Sequence, residues 1–461
     1  CLVGSEMCIR DRMLTTIQNA LKTKEIRMKL LYVLIGLVIV RIGCNIPIPG
    51  TKPDVMQNLF SSNQSLGFLD VMTGGSFSRM SIFALNITPY ITASIILQLL
   101  TIAIPRLEEM QKDGEDGRKK INEYTRYLSI ALAVIEGAAI VIGFRNQGLF
   151  GTDNPQSSMT TAIVVAVAAL TAGAAFMMWL GEQITEKGVG NGISIILLIN
   201  IVARIPNDLS NLYQNYVAKP TDVTSKIIAA VIILAIIVAM FVFIVFLQDG
   251  ERRIPVQYAK KIQGHKVSGG QSSHIPLKVN TAGVIPVIFA SSMMSLPVVI
   301  ASFAGIQPKT GPDATFFQKF LTLCNQSDWC KIGSFAEFKY TLGLLIYIGL
   351  VIFFAYFYTS VTFNPLEISN NMKKQGGFIP GIRPGKPTTE YLTTVLNSII
   401  FLGAIGMVIV CALPIFFSGA FGADVSFSGT SLIIVVGVVI ETIKQIESLV
   451  LVRHYKGFLG N

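Results

Sequence analysis

Charge is scarce in this chain. Only 14% of its 461 residues are Asp, Glu, Lys or Arg, where a soluble domain carries about a quarter, too few to clothe a water-exposed surface. Histidine is nearly missing: His265, His274 and His454 are the three present, and no CxxC pair or HExxH string accompanies them. That leaves no ligand set for a metal and implies no cofactor. A phosphate loop is also excluded, because Gly381-Ile382-Arg383-Pro384-Gly385-Lys386-Pro387 has the wrong glycine spacing and no Ser or Thr after its lysine. No hydrolase elbow is evident either. The chain therefore reads as a non-enzyme without catalytic residues.

What it does have is apolar length. Hydrophobic residues make up 51% of the chain, and the mean hydropathy is +0.59. About 20 apolar residues cross the roughly 30 Å hydrocarbon core as a helix, an element that satisfies its own backbone there. Ten stretches meet this test: 29–47, 81–104, 124–144, 159–181, 190–206, 226–248, 280–304, 339–363, 391–417 and 428–451. Alternate loops between them collect Lys and Arg, from Lys22, Lys24, Arg27 and Lys29 through Arg252, Arg253, Lys260, Lys261 and Lys266 to Lys373, Lys374, Arg383 and Lys386. The inside-positive rule then puts both termini in the cytoplasm and accounts for most of the net charge of +10.

Of the cysteines, Cys44 and Cys411 lie in or beside spans and read as small apolar fillers. Cys324 and Cys330 share an external polar loop, where a local disulfide and two separate thiols are equally open. Cys1 and Cys8 belong to residues 1–12, whose string LVGSEMCIRDR matches one frame of a transposase sequencing adaptor. This segment is expected to be non-native, with Met13 as the start.

Two regions depart from ordinary spans. Leu66 to Met72 is a brief apolar patch ending in Thr73-Gly74-Gly75, too short to cross and suited to a re-entrant helix. Gly188-Val189-Gly190-Asn191-Gly192 opens the fifth span as a close-packed helix entry. Spans divide five and five. Two related halves with odd span counts lie in opposite orientations, the plan that puts a functional path between them. Expected divisions are 1–12 as the extension, 13–206 as the first half, 207–279 as the sixth span with its basic loop, 280–451 as the remaining spans, and 452–461 as a tail.

Several strings carry a resemblance: RIGCNIPIPG from Arg41, SIFALNITPYITASIILQLLT from Ser81, WLGEQITEKGVGNGISII from Trp179, SSHIPLKVNTAGVIPVIFASS from Ser272 and FIPGIRPGKPT from Phe378. From Met13 to the tenth span the chain resembles the SecY family, channel subunits of the bacterial preprotein translocase. The loop 304–338 is longer than the resemblance leads one to expect and has no assigned role. The resemblance implies an all-α membrane protein of ten transmembrane helices, in two inverted halves around a central pore, with a re-entrant plug.

Carried over by position, the pore ring is Ile87, Ile91, Ile193, Leu197, Ile288 and Ile434, and the plug includes Leu66, Gly67, Phe68, Leu69, Gly74 and Gly75. Its second, third, seventh and eighth spans correspond to a lateral gate. Partner docking falls to Arg252, Arg253, Lys260, Lys261, Lys266, Arg383 and Lys386, with Arg383 the residue on which coupling depends. Implied partners are SecE and SecG in the membrane, the SecA motor ATPase, the ribosome, unfolded preproteins with their signal sequences, and the lipid bilayer of the cytoplasmic membrane. A secondary transporter for a small solute is the rival reading, since it too uses inverted repeats. Its expected midplane ligands are ionisable or polar, whereas this ring is aliphatic.

Overall fold

The computed structural model describes residues 23–52, 54, 56, 73–145, 148–150, 156–214, 223–258, 261–263, 266–268, 272–303, 315–324, 329, 341–421 and 429–459. Residues 1–12, the expected plug residues Leu66, Gly67, Phe68 and Leu69, and Lys260 and Cys330 lie outside them.

In order the elements are α1 (Lys24–Gly43), α2 (Thr88–Ala103), α3 (Pro105–Lys112), α4 (Glu115–Arg145), α5 (Gln156–Lys187), α6 (Gly192–Leu212), α7 (Val223–Asp249), β1 (Glu251–Tyr258), β2 (Lys261–Gln263), β3 (Lys266–Ser268), β4 (Ser272–Lys278), α8 (Ile285–Phe303), α9 (Phe316–Cys324), α10 (Leu342–Thr362), α11 (Pro365–Lys374), β5 (Gly377–Phe378), α12 (Lys386–Phe421) and α13 (Gly429–Leu459). A helix lies on each expected span: α1, α2, α4 to α8, α10, α12 and α13. Four stretches among the described residues, Glu115–Arg145, Met159–Lys187, Leu342–Lys374 and Lys386–Ile415, are each long and apolar enough to cross a membrane unaided. Each exposes large apolar side chains, as at Ile135, Val164, Leu345 and Leu402. Surfaces of this kind are stable against hydrocarbon and not against water.

The chain divides into two compact units, residues 1–207 with 299–307 and 438–461, and residues 208–298 with 308–437. In the first unit, the core joins Phe77, Met80, Ala84 and Leu85 to Ala133, Ile140 and Phe144 of α4 and Ala166, Leu170 and Ala174 of α5. In the second, it gathers Ile254, Val256 and Leu277 of the strands with Met372, Ile379, Leu392, Val395 and Ile399.

The second span is shorter than expected. The segment 81–87 is a series of turns, and the helix begins at Thr88. Two features of the sequence force this. Pro89 lies in the first turn of the helix, where its fixed φ and missing N–H suit a start, and Asn86 adopts a left-handed φ of 51°. Non-helical backbone at membrane depth needs protein partners, and it has them. Ile48 N–H donates to Met80 O at 2.9 Å, Ile82 N–H to Ile46 O at 3.0 Å, and the Ser76 hydroxyl to Phe83 O at 3.0 Å. Gly173 of α5 makes room, since a Cβ there would lie 2.0 Å from Ile82 O. At the far end of this span, Ile104 is held extended ahead of Pro105, and the chain turns by 106° into α3.

Candidate functional site

The two basic loops, separated by two spans in the sequence, are knitted into one sheet. Strand β1 follows α7 directly and pairs antiparallel with β4 along its length, Ile254 opposite Ile275 and Arg252 opposite Leu277. Its other edge takes β5 from the later loop, Gln257 opposite Phe378. Alternation drives this: Ile254 and Val256 are buried beneath the sheet while Arg252, Arg253, Pro255 and Gln257 are exposed. Pro255 and Pro276 stand in facing strands of this three-stranded sheet. Both are residues that discourage a strand reading from sequence, yet the period-two pattern of Ile254/Val256 and Ile275/Leu277 was the signal available.

The Arg383 turn stands on this base. Ile379 is buried and Ile382 packs against the same core, and Ile382 N–H closes a turn onto Ile379 O at 3.0 Å. Thr388 Oγ1 donates to the Arg383 carbonyl at 2.8 Å, and Ser369 Oγ of α11 donates to Gly385 O at 3.1 Å. Gly381 (φ 84°) and Gly385 (φ 106°) adopt the left-handed region that the bends require. The Arg383 side chain is exposed between these fixed points. Among the described residues no carboxylate pairs with it. Lys386, Arg252, Lys373 and Lys374 are exposed as well. Arg253 differs from the rest, because Glu251 accepts from its Nη2 at 2.6 Å and from its Nε at 2.7 Å. That pairing partly neutralises Arg253 and was missed in the sequence, although Glu251 lies two residues away on the same strand face. Lys261 and Lys266 fall in the β2–β3 hairpin.

In the first unit, Ile87 and Leu197 are buried and Ile91 and Ile193 partly so. The four-residue spacing of the first pair is realised as helix, Ile91 N–H donating to Ile87 O at 3.0 Å. Ile193 packs over Gly181 of α5, its Cγ1 3.1 Å from where a Cβ would stand. In the second unit, Ile434 is buried and Ile288 partly buried. None of the six is fully exposed.

The two glycines expected in the plug differ. Both have positive φ, 67° at Gly74 and 83° at Gly75, but only Gly74 is in close contact. A Cβ on it would lie 2.9 Å from both the Cα and the carbonyl oxygen of Asn200 on α6. Asn200 is wholly buried, and its amide has no hydrogen-bond partner among the described residues. Arg41 Nη1 donates to Gly74 O at 3.4 Å, so this charge near the end of the first span is met by a carbonyl. Arg79 also bonds the Asn45 side chain.

Cys324 is a buried free thiol in the structure, and burial pushes its pKa up; Cys330, the other half of the bridge left open by the sequence, lies outside the described residues. Asn280, ahead of α8, is buried with both amide atoms unpartnered among the described residues. Among those residues no group of His, Cys, Asp and Glu is placed to hold a metal.

The class is that of a polytopic helical channel fold. A solved structure described as "The structure of a protein conducting channel" aligns with a TM-score of 0.62 at 18% identity over 92% of each chain. A second, described as "The plug domain of the SecY protein stablizes the closed state of the translocation channel and maintains a membrane seal", aligns at a TM-score of 0.57 and 17% identity over the same 92% of each. The SecY family model matches residues 81–443. A relative from Streptomyces scabiei, "Protein translocase subunit SecY", is 43% identical over 97% of this chain and 100% of its own length. Another of the same name, from Halalkalibacterium halodurans, is 42% identical with the same coverage. The chain belongs to the SecY family, and it is a multi-pass membrane protein.

Proposed function

We propose that this chain is the central subunit of the channel that moves unfolded preproteins across the cytoplasmic membrane and releases apolar segments sideways into lipid. The full-length match to translocase subunits carries the reading. Both termini are cytoplasmic, and the basic sheet faces the compartment in which precursors are made. The chain performs no covalent chemistry, so the driving free energy comes from outside it.

The six aliphatic residues Ile87, Ile91, Ile193, Leu197, Ile288 and Ile434 form the constriction. An aliphatic ring dewets and blocks ions, yet it offers a sliding peptide no polar trap. The segment from about Leu66 to Arg79 is the plug, and the close approach of Gly74 to the backbone of α6 supports this reading. The lateral gate runs along the second, third, seventh and eighth spans, where the unpartnered amide of Asn280 suits a seam whose hydrogen bonds are made and broken at about 0.6–2 kcal/mol each.

The exposed cations of the sheet and of the Arg383 turn dock partners. A related structure is described as "Sec61 in the Canine ribosome-channel complex from the endoplasmic reticulum", and a ribosome presents phosphates that such cations attract. SecA docks on the same platform, and SecE and SecG accompany the chain in the membrane.

The test is site-specific crosslinking in the reconstituted translocase. A stalled secretory precursor should crosslink to Ile91→Cys and Ile288→Cys and not to Leu345→Cys, a lipid-facing control. Capture only at Leu345→Cys, or at none of the three while the precursor is shown to be engaged, would sink the channel reading.

A further inference from the structure

The loop 304–338, which the family resemblance leaves without a role, contains the nine-residue helix α9. It is apolar on two sides. Leu321, Thr322 and Cys324 are buried against the protein, while Phe316, Phe317 and Phe320 are exposed at 86%, 45% and 43%. Phe316, Phe320 and Leu323 stand at i, i+4 and i+7 and share a helical face. Together the three rings leave on the order of 300 Å² of apolar surface uncovered, a contiguous patch where a water-facing loop carries scattered single residues. Lys319 is exposed beside it.

The position of α9 says what covers that face. Its last turn is fastened to the start of α10: Trp329 Nε1 donates to Leu323 O at 2.9 Å, and the Trp329 ring lies 5.7 Å from that of Tyr347. Gly343 admits this contact, because a Cβ there would stand 2.0 Å from Leu323 O. Leu342, Leu345 and Ile346 expose apolar side chains in the first turns of the same helix, so the hydrocarbon-facing surface of the span begins where α9 sits. The opposite end of α10 leads through α11 to β5 and the basic sheet. Aromatic rings with a flanking lysine, held at the rim of a span, are the composition of a membrane-interface anchor.

We infer that α9 is an interfacial anchor, its Phe316, Phe317 and Phe320 seated among the headgroups and upper acyl chains of the leaflet remote from the basic sheet, with Lys319 toward lipid phosphate. The occupant is phospholipid. This inference rests on the membrane topology and not on what the channel carries, so it stands or fails independently of the precursor crosslinking.

Two measurements test it on the full chain in phosphatidylethanolamine/phosphatidylglycerol vesicles. A phospholipid bearing a photoactivatable carbene precursor near its glycerol should label the peptide containing 316–320 in the unaltered protein, with the 342–346 region as internal control. Label at 342–346 and none at 316–320 would overturn the inference. In a background with Cys1, Cys8 and Cys330 replaced by Ala, nitroxides at Phe316→Cys and Phe320→Cys should relax more with oxygen than with a water-soluble nickel chelate, and one at Lys319→Cys should show the reverse. Nickel dominance at all three sites, as for a loop in water, overturns it. Exclusion of both reagents at 316 and 320, as for a face covered by protein, does so equally.

Discussion

Substituting Gly74 with alanine should unseat the plug, and the same change at Gly75 should do much less. Each glycine has a left-handed φ, 67° and 83°, so each alanine variant bears a similar conformational cost of roughly 1–2 kcal/mol. The difference lies in surroundings. At Gly75 nothing lies within 4 Å of a new Cβ, whereas at Gly74 it meets the Asn200 Cα and carbonyl oxygen at 2.9 Å. Both of those atoms are helix backbone and cannot rotate aside, so relief requires the segment to move off α6. Overpacking of this kind costs about 1–3 kcal/mol, which weakens the seat roughly 5- to 150-fold beyond the effect at Gly75. Ion leak through vesicles containing equal amounts of reconstituted complex, without precursor, reads the difference directly. Equal leak from the two variants, or a larger leak from Gly75→Ala, would refute the idea that the α6 contact holds the segment in place.

Other consequences are simpler to measure. Arg383→Glu should abolish SecA-driven translocation while leaving complex assembly intact, and Thr388→Val, which removes one bond to the Arg383 carbonyl at a cost of about 1 kcal/mol, should give a partial defect of the same kind in a proteoliposome translocation assay. Arg126 and Glu182 lie 2.7 Å apart between α4 and α5 with the arginine half exposed; Arg126→Gln should lower thermal stability in detergent by less than about 1 kcal/mol. A large loss would show the pair to be structurally decisive. Cys324 has its pKa raised by burial, and only the thiolate attacks maleimide. Its labelling in the folded protein should therefore stay slow at neutral pH and quicken only above the ordinary thiol range, with rapid labelling at pH 7 contradicting the buried placement.

The spans were legible because hydrophobic length is a local property, read residue by residue against the thickness of a bilayer. The irregular start of the second span was not, since Ser81 to Ile87 are mostly apolar and merge with the helix that follows; their turns depend on hydrogen bonds to Ile46 and Ile48, some 35 residues earlier. Cations at 252 and 383 were visible as charge, but their assembly on one sheet depends on a pairing between residues 257 and 378 that no local pattern announces. Helix α9 leaves a trace in the spacing of Phe316, Phe320 and Leu323, but nine residues hold too few turns for that spacing to stand out as a helical period. The ring positions came from the family match, an isoleucine in a span being by itself indistinguishable from packing.

The sheet under Arg383 has a mechanical meaning. Strand β1 continues from the end of α7, β4 leads through a short turn into α8, β5 follows α11 at the foot of α10, and Lys386 opens α12. A load placed on the Arg383 turn would thus reach the near ends of four apolar helices through a single sheet. The proposed docking surface and those helices are therefore joined by strand pairing and not by flexible connections alone.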